Sequence, residues 1–269
     1  MADARRRFEA IGLDDAATDA RVLVCGLLKL SQTALLLVGE KPVSPEAVAQ
    51  VEAAVLRRLA REPVHRILGR RDFYGLDLAL SSGTLEPRPD TEILVDVILP
   101  HLKSMVMQGR KPKLVDLGTG TGAIALALLH ECPEAEAMGI DISEDALKTA
   151  ADNAERNGLG SRFVTRSGAW FDKTAERFDI IVSNPPYIRS DVVKGLEPEV
   201  TKFDPMVALD GGPDGLDAYR AIAQSAASPL EDQGRDVTQI FELAGFLLVE
   251  EHRDYGHNDR VLVFAKRLD

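Results

Sequence analysis

Lys113-Leu114-Val115-Asp116-Leu117-Gly118-Thr119-Gly120-Thr121-Gly122-Ala123 decides the fold of this chain. An apolar run too short for a helix stops at three glycines on alternate positions, and a helical pattern follows at once from Ala123 to Leu129. A strand that turns through glycines into a helix opens an α/β unit, and glycine is needed where backbone lies against a ligand with no intervening Cβ. The spacing is Gly-x-Gly-x-Gly, which is neither the Gly-x-Gly-x-x-Gly of dinucleotide sites nor a Gly-Lys-Ser/Thr phosphate loop. A second strand, Ala135 to Ile140, ends in Asp141, where an acid is placed to accept bonds from ribose hydroxyls. Asp141 reads equally as a cap for the next helix, a role open to Ser143 as well. Taken together, strand, loop and acid point to nucleoside binding.

Downstream, a helix from Glu144 to Arg156 closes at Asn157-Gly158, a left-handed cap. A third strand around Arg162 to Val164 leads into Ser167-Gly168-Ala169-Trp170-Phe171, which holds the single tryptophan; it suits an adenine face or a core position. Then comes Phe178-Asp179-Ile180-Ile181-Val182-Ser183-Asn184-Pro185-Pro186-Tyr187. Its first part reads as a parallel strand apolar on both faces. Two prolines end it, each removing a backbone donor and stiffening what precedes. Asn184 and Tyr187 therefore stand on a rigid corner beyond the carboxyl end of a strand, where open α/β sheets bind ligands. A plain proline-rich turn with an asparagine cap is the other reading.

Upstream, residues 1–70 read as a small helical domain. Arg21 to Leu30 has helical spacing, Ser31 can cap a short helix through Ala34 to Val38, and Ser44-Pro45-Glu46 is a start signal. The helix it opens carries Val48, Val51, Val55, Leu56 and Leu59 and ends before Pro63. Asp72 to Leu80 alternates weakly, and Ser81-Ser82-Gly83 supplies turn residues before Thr84 and Leu85, so 71–88 is expected to be a hairpin linker. Arg88-Pro89-Asp90-Thr91-Glu92 opens another helix with an acidic first turn. By spacing alone, Arg88 and Glu92 are surface charges.

The net charge of −11 is unevenly spread: residues 1–85 carry 12 Lys and Arg against 11 Asp and Glu, the remainder 20 against 32. Phosphate contacts need basic clusters, so direct nucleic-acid binding is not expected. No apolar run is long enough to span a bilayer, and the start lacks a signal core, which suggests a cytoplasmic enzyme without a membrane partner. Cys25 and Cys132 sit in apolar helical patterns and read as buried reduced thiols. The five histidines show no ligand spacing, so no metal is expected.

Asp-Leu-Gly-Thr-Gly-Thr-Gly, Asp141 and Asn-Pro-Pro-Tyr together resemble the S-adenosylmethionine-dependent amino-methyltransferases with a Rossmann-like sheet. Further segments narrow the resemblance to the release-factor glutamine N5-methyltransferase family: Arg61-Glu62-Pro63 with Ile67-Leu68-Gly69, Phe73-Tyr74-Gly75-Leu76, Pro87 to Glu92, and Asp214-Gly215-Leu216-Asp217 with Tyr219-Arg220. The resemblance implies an α/β fold: a methyltransferase domain over 89–269, preceded by the helical domain and the hairpin. It also implies a substrate, the glutamine of the Gly-Gly-Gln loop of class I peptide-chain release factors, and a monomeric enzyme. Carried over by position, Gly118, Thr119, Gly120, Thr121, Gly122, Asp141, Trp170 and Asn184 would hold S-adenosylmethionine. Asn184, Pro185, Pro186 and Tyr187 would hold the glutamine, with Asn184, Pro185 and Tyr187 catalytic, while Arg88 and Glu92 would border the site. A nucleic-acid base amino-methyltransferase and a non-catalytic cofactor-binding module are the alternatives.

Three positions depart from the family pattern. Glu86 replaces an apolar residue, and Ala169 replaces an aspartate before Trp170. After the helix Leu216 to Ala227, Ser228-Pro229-Leu230-Glu231-Asp232 runs almost directly into Gln233-Gly234-Arg235 and a helix from Val237 to Leu243. The stretch that would form the fifth strand is missing, either as an omitted segment or because the sheet has closed around the gap. Leu247 to His252 and Val261 to Lys266 read as a closing antiparallel pair.

Overall fold

The computed structural model describes residues 1–38, 42–171, 176–226, 237–253 and 259–266. It divides into two compact units, Met1–Arg71 with Glu197–Phe203, and Asp72–Leu196 with Asp204–Asp269.

The first unit is helical: α1 (Ala2–Ala10), α2 (Ala16–Leu28), α3 (Gln32–Val38), α4 (Pro45–Leu59) and α5 (Val64–Leu68). Ser31 Oγ accepts the Ala34 N–H at 3.0 Å and Ser44 Oγ the Ala47 N–H at 3.3 Å, so both expected caps form. Phe8, Leu23, Val55 and Ile67 form the core. The buried stripe of α4 runs through Ala54, Val55 and Arg58; Val48 and Leu56, expected on that face, are exposed. The later segment Glu197–Phe203 belongs to this unit through its acid. Buried Arg58 donates to Asp19 at 2.7 Å and to Glu199 at 3.1 Å, and Arg61 donates to Glu199 at 3.2 Å. A cation taken out of water needs such partners to be tolerated.

A hairpin follows, β1 (Arg70–Phe73) and β2 (Leu76–Ala79). It turns at Tyr74-Gly75, both at positive φ (49° and 79°), and not at Ser81-Ser82-Gly83 as expected. The residues read as one alternating run are thus two strands folded on a two-residue turn whose positive-φ residues suit the right-handed twist of paired strands.

The second unit holds α6 (Glu92–Met107), β3 (Lys113–Leu117), α7 (Ala123–Glu131), β4 (Glu136–Asp141), α8 (Glu144–Arg156), β5 (Phe163–Ser167) and β6 (Ile180–Ser183). The strands form one parallel sheet in the order β5-β4-β3-β6. Strand β3 is buried from Leu114 onward, and α7 is buried along Ala123–Leu129, which explains why neither shows an amphipathic pattern. β6 is less buried than expected: Val182 is covered, but Ile181 is 42% exposed. It is the last strand of the four, so its packing is that of an edge. Cys25 and Cys132 are buried and free.

Beyond β6 come α9 (Ser190–Val193), α10 (Pro198–Phe203, in the first unit), α11 (Asp217–Ala226), α12 (Val237–Leu243) and the antiparallel pair β7 (Phe246–Arg253) and β8 (Asp259–Lys266). The Ser228–Arg235 stretch lies outside the described residues. Among the described residues no strand lies between β6 and β7, and β7-β8 is a sheet separate from the four-stranded one.

Candidate active site

The sheet register places the site. Leu117 pairs with Ile140 on one side and Ser183 on the other, so the next residues of the three strands stand at one level, Asp141 still paired with Ser167 of β5. Those residues are Gly118, Asp141 and Asn184. The chain leaves β3 toward β4 and returns on its other side at β6, which makes β3/β6 the topological switch point where such sheets open a crevice.

Gly118, Gly120 and Gly122 all have positive φ (70°, 55° and 82°), a conformation costly for any other residue type here. The turn is tied down from below. The Gly118 and Thr119 N–H groups donate to the Ile140 carbonyl at 2.8 and 3.0 Å, and the Gly120 N–H donates to Asp141 Oδ2 at 2.9 Å. Asp141 Oδ1 accepts the Ser143 N–H at 2.9 Å, while Ser143 Oγ caps α8 through the Ala146 N–H at 3.2 Å. Asp141 therefore joins the glycine turn to the start of α8, and Ser143 is the helix cap. Each carboxylate oxygen keeps a second lone pair for a hydroxyl donor.

Above the turn there is room. A Cβ built on Gly120 meets nothing within 4 Å, and one on Gly118 meets only the Trp170 ring at 3.9 Å. Trp170, at φ 50°, is held by the apolar group of Val115, Leu117, Met138, Ile140 and Ile222. An open glycine cradle, an aromatic ring beside it and a carboxylate at the next strand end fit a nucleoside-bearing cofactor. Thr119 and Thr121 are buried, Thr119 donating its hydroxyl to Asp116 Oδ2 at 2.9 Å.

Two residues that sequence reasoning passed over support this turn. Asn153 of α8 is fully buried; its Oδ1 accepts the Ala79 N–H at 2.7 Å, and its Nδ2 donates to the carbonyls of Ala79 and Thr121 at 3.1 and 2.9 Å. The visible signal is an amide within the buried stripe Ala146, Ala150, Asn153 and Ala154. Asn153→Leu should lower stability by about 2–4 kcal/mol, because the buried Thr121 carbonyl and two half-buried backbone groups of Ala79 lose their partner. Thermal unfolding checks this, with an expected fall of about 5–10 °C; an unchanged Tm contradicts it.

The second is Asp116, 1% exposed, whose carboxyl is pushed up to about 7. Burial is the main cause, opposed by the Thr119 hydroxyl and the Ala125 N–H and reinforced by the Asp141 charge. Its folded pKa lies above the ordinary 3.8, so folding favours the protonated form. The stability this contributes is present below pH 4 and is lost as pH rises through about 7. Asp116→Asn cannot titrate there, so its Tm relative to wild type should rise by about 3 °C or more between pH 5 and pH 8. A pH-independent difference contradicts it.

At the proline corner, Asn184 is exposed, Pro185 is buried and Tyr187 is 50% exposed. Ser183 Oγ donates to the Leu117 carbonyl at 2.7 Å, locking β6 to β3 just before the corner. Asn184 Nδ2 donates to Thr91 Oγ1 at 3.4 Å, which brings the corner beside the Arg88–Glu92 segment. Arg88 and Glu92 themselves have structural partners. The Arg88 guanidinium donates to Asp204 at 2.8 Å, and Glu92 accepts the Tyr74 N–H at 2.9 Å, holding the hairpin turn. Among the described residues no cluster of three or more His, Cys, Asp or Glu side chains is arranged to hold a metal, and no helix is long and apolar enough to cross a membrane.

Residues 1–69 match the family model described as PrmC N-terminal domain, and residues 91–197 match Methyltransferase small domain. A protein of Agrobacterium fabrum named release factor glutamine methyltransferase is 53% identical, over 98% of this chain and 95% of its own length. The chain belongs to the release factor glutamine methyltransferase family. Other members named so are 43% identical in Rhodospirillum rubrum, over 97% of this chain and 82% of that protein, and 36% identical in Caulobacter vibrioides, over 98% and 94%. These alignments extend over 274, 272 and 275 positions, more than the 269 residues of this chain, so its relatives carry internal residues that it lacks.

Proposed function

We infer that this protein transfers a methyl group from S-adenosylmethionine to the side-chain amide nitrogen of the glutamine in the Gly-Gly-Gln loop of a class I release factor. The observation that carries the reading is the shared level of Gly118, Asp141 and Asn184 at the β3/β6 switch point. It sets a nucleoside cradle and a stiff polar corner side by side.

S-adenosylmethionine supplies an electrophilic methyl group on a sulfonium. The residues that would hold it are Gly118 to Gly122, Asp141 and Trp170, with Asn184 at the edge shared with the acceptor. A glutamine amide nitrogen is a poor nucleophile because its lone pair is delocalised into the carbonyl. Asn184 Oδ1 and the Pro185 carbonyl accept its two N–H bonds, fixing the nitrogen and concentrating electron density on it. Tyr187 presents a flat ring to the planar amide. Pro185 and Pro186 keep the corner from yielding as the amide arrives. The chain contributes mainly alignment, for which well-oriented reactants gain about 7–11 kcal/mol. No general base is assigned; the proton leaves the nitrogen after transfer, when it is far more acidic. Arg88 and Glu92 border this site by setting the segment that carries Thr91. The partner is a release factor, which places the work beside translation in the cytoplasm.

Incubation with labelled S-adenosylmethionine tests the reading. Label should pass to a purified release factor and not to duplex DNA. Transfer to DNA alone would reverse the assignment of substrate.

A further inference from the structure

The chain leaves the acceptor corner at Ile188 and comes back at Asp210. The two limbs are bound as a parallel bridge: the Ile188 N–H donates to the Leu209 carbonyl at 3.0 Å, and the Gly211 N–H donates to the Ile188 carbonyl at 2.8 Å. The Ser190 N–H then reaches the Gly212 carbonyl at 3.0 Å, and Asp210 Oδ1 accepts both the Ser190 hydroxyl at 2.6 Å and the Gly212 N–H at 2.9 Å. Those two donors hold the Asp210 carboxyl below its ordinary range. The return limb closes on itself as well. The Asp217 N–H donates to the Gly211 carbonyl at 3.0 Å, and Arg220 binds Asp214 and Asp217 at 3.0 and 3.1 Å.

This buckle lies against the corner backbone with no space between. A Cβ on Gly211 would come within 2.8 Å of the Pro186 carbonyl oxygen, the Tyr187 Cα and the Gly215 carbonyl oxygen. A Cβ on Gly215, at φ 81°, would come within 2.5 Å of the Tyr187 carbonyl oxygen. All of these are backbone atoms, which cannot swing aside as a side-chain end would. Tyr219, one turn into α11, has its phenol pushed up to about 12, chiefly by burial and then by the nearby Tyr187 phenol.

We propose that Gly211 and Gly215 are positioning residues for methyl transfer, acting through Pro186 and Tyr187. By letting the returning backbone lie directly against the corner, they fix where the glutamine amide is held relative to the cofactor turn. This rests on the reading of Asn184–Tyr187 as the acceptor corner. A displacement of the corner by a fraction of an ångström leaves the glycine cradle untouched and misaligns the reacting nitrogen. The effect therefore falls on turnover and not on cofactor affinity.

The test compares Gly211→Ala, Gly215→Ala, Asn184→Ala and Gly195→Ala in the full chain. Gly195 lies in the same excursion, where a Cβ meets only the Val192 carbonyl at an ordinary 3.5 Å. Each variant is assayed for kcat on a release factor and for S-adenosylhomocysteine affinity and stoichiometry by calorimetry. Gly211→Ala and Gly215→Ala should lower kcat by at least about tenfold, as sub-ångström misalignment does, with cofactor affinity and stoichiometry unchanged and Gly195→Ala like wild type. Wild-type kcat in both glycine variants alongside an inactive Asn184→Ala overturns the proposal and leaves the corner reading intact. Loss of cofactor stoichiometry together with kcat also overturns it, since the glycines then serve the fold at large. Full activity in Asn184→Ala removes the corner reading and this proposal with it. Should Gly211→Ala not fold, Asp210→Ala, which loosens the buckle without a clash, decides by the same two readouts.

Discussion

Asn184→Ala should lower kcat for release-factor methylation by about 100- to 1,000-fold, the usual effect of removing one preorganised polar contact at a reacting centre. Cofactor affinity, measured by calorimetry, should change by less than about threefold, because the turn is held by Ile140, Asp141 and Asn153, none of which bonds Asn184. The separation follows from the sheet register. Asn184 continues β6, whereas the turn continues β3, and the ladder joining the two strands ends at Leu117 and Ser183. The Asn184 amide nitrogen has its own contact with Thr91, and its oxygen is the proposed acceptor for the substrate amide. Equal loss of turnover and of cofactor binding would mean that Asn184 supports the cradle and does not select the acceptor.

Asp141→Ala should do the opposite, weakening cofactor binding by about 10- to 100-fold through loss of charge-assisted hydrogen bonds. The carboxylate serves two purposes at once. Its existing bonds to the Gly120 and Ser143 N–H groups keep the turn and the start of α8 in place, and its remaining lone pairs are the proposed acceptors for hydroxyls of the cofactor. Asp141→Asn separates the two. An asparagine oxygen still accepts one backbone bond, so that variant should retain more affinity than alanine. Calorimetric titration with S-adenosylhomocysteine checks the order wild type, Asn, Ala. Unchanged affinity in both variants would contradict the assignment.

Much of this site is legible in the sequence because its parts are local. A strand that stops at Gly118, an acid at the end of the next strand and a corner of two prolines each announce themselves within a few residues. Family resemblance then supplies the substrate, which no local pattern contains. What is hidden depends on contacts between distant segments. The hairpin turn falls at Tyr74-Gly75, where the Glu92 carboxylate accepts the Tyr74 N–H across 18 positions; composition alone favours Ser81-Ser82-Gly83. Arg88 reads as a surface charge until Asp204 is beside it, and Glu92 until it accepts the Tyr74 N–H. The α4 stripe is misread for a related reason. Helical spacing allows Val48 and Leu56 to be core residues, but the neighbouring helices cover the side that carries Ala54 and Arg58.

Among the described residues β6 has no strand on its outer side, which bears on the edge of the site. β6 carries the corner, is four residues long and closes one side of the four-stranded sheet among the described residues. Its hold on the sheet comes from β3 through the ladder and through the Ser183 hydroxyl bond to Leu117. The buckle at 210–217 braces the far end of the corner. Corner alignment therefore depends on β3 and the buckle.

The central claim is that the acceptor is one protein glutamine. The direct measurement is mass spectrometry of a release factor after incubation with this protein and S-adenosylmethionine, read peptide by peptide. The expected result is a single added methyl group on the glutamine of the Gly-Gly-Gln loop, absent when that glutamine is replaced by asparagine. A methyl group on another residue, or one that persists after the replacement, would contradict the claim.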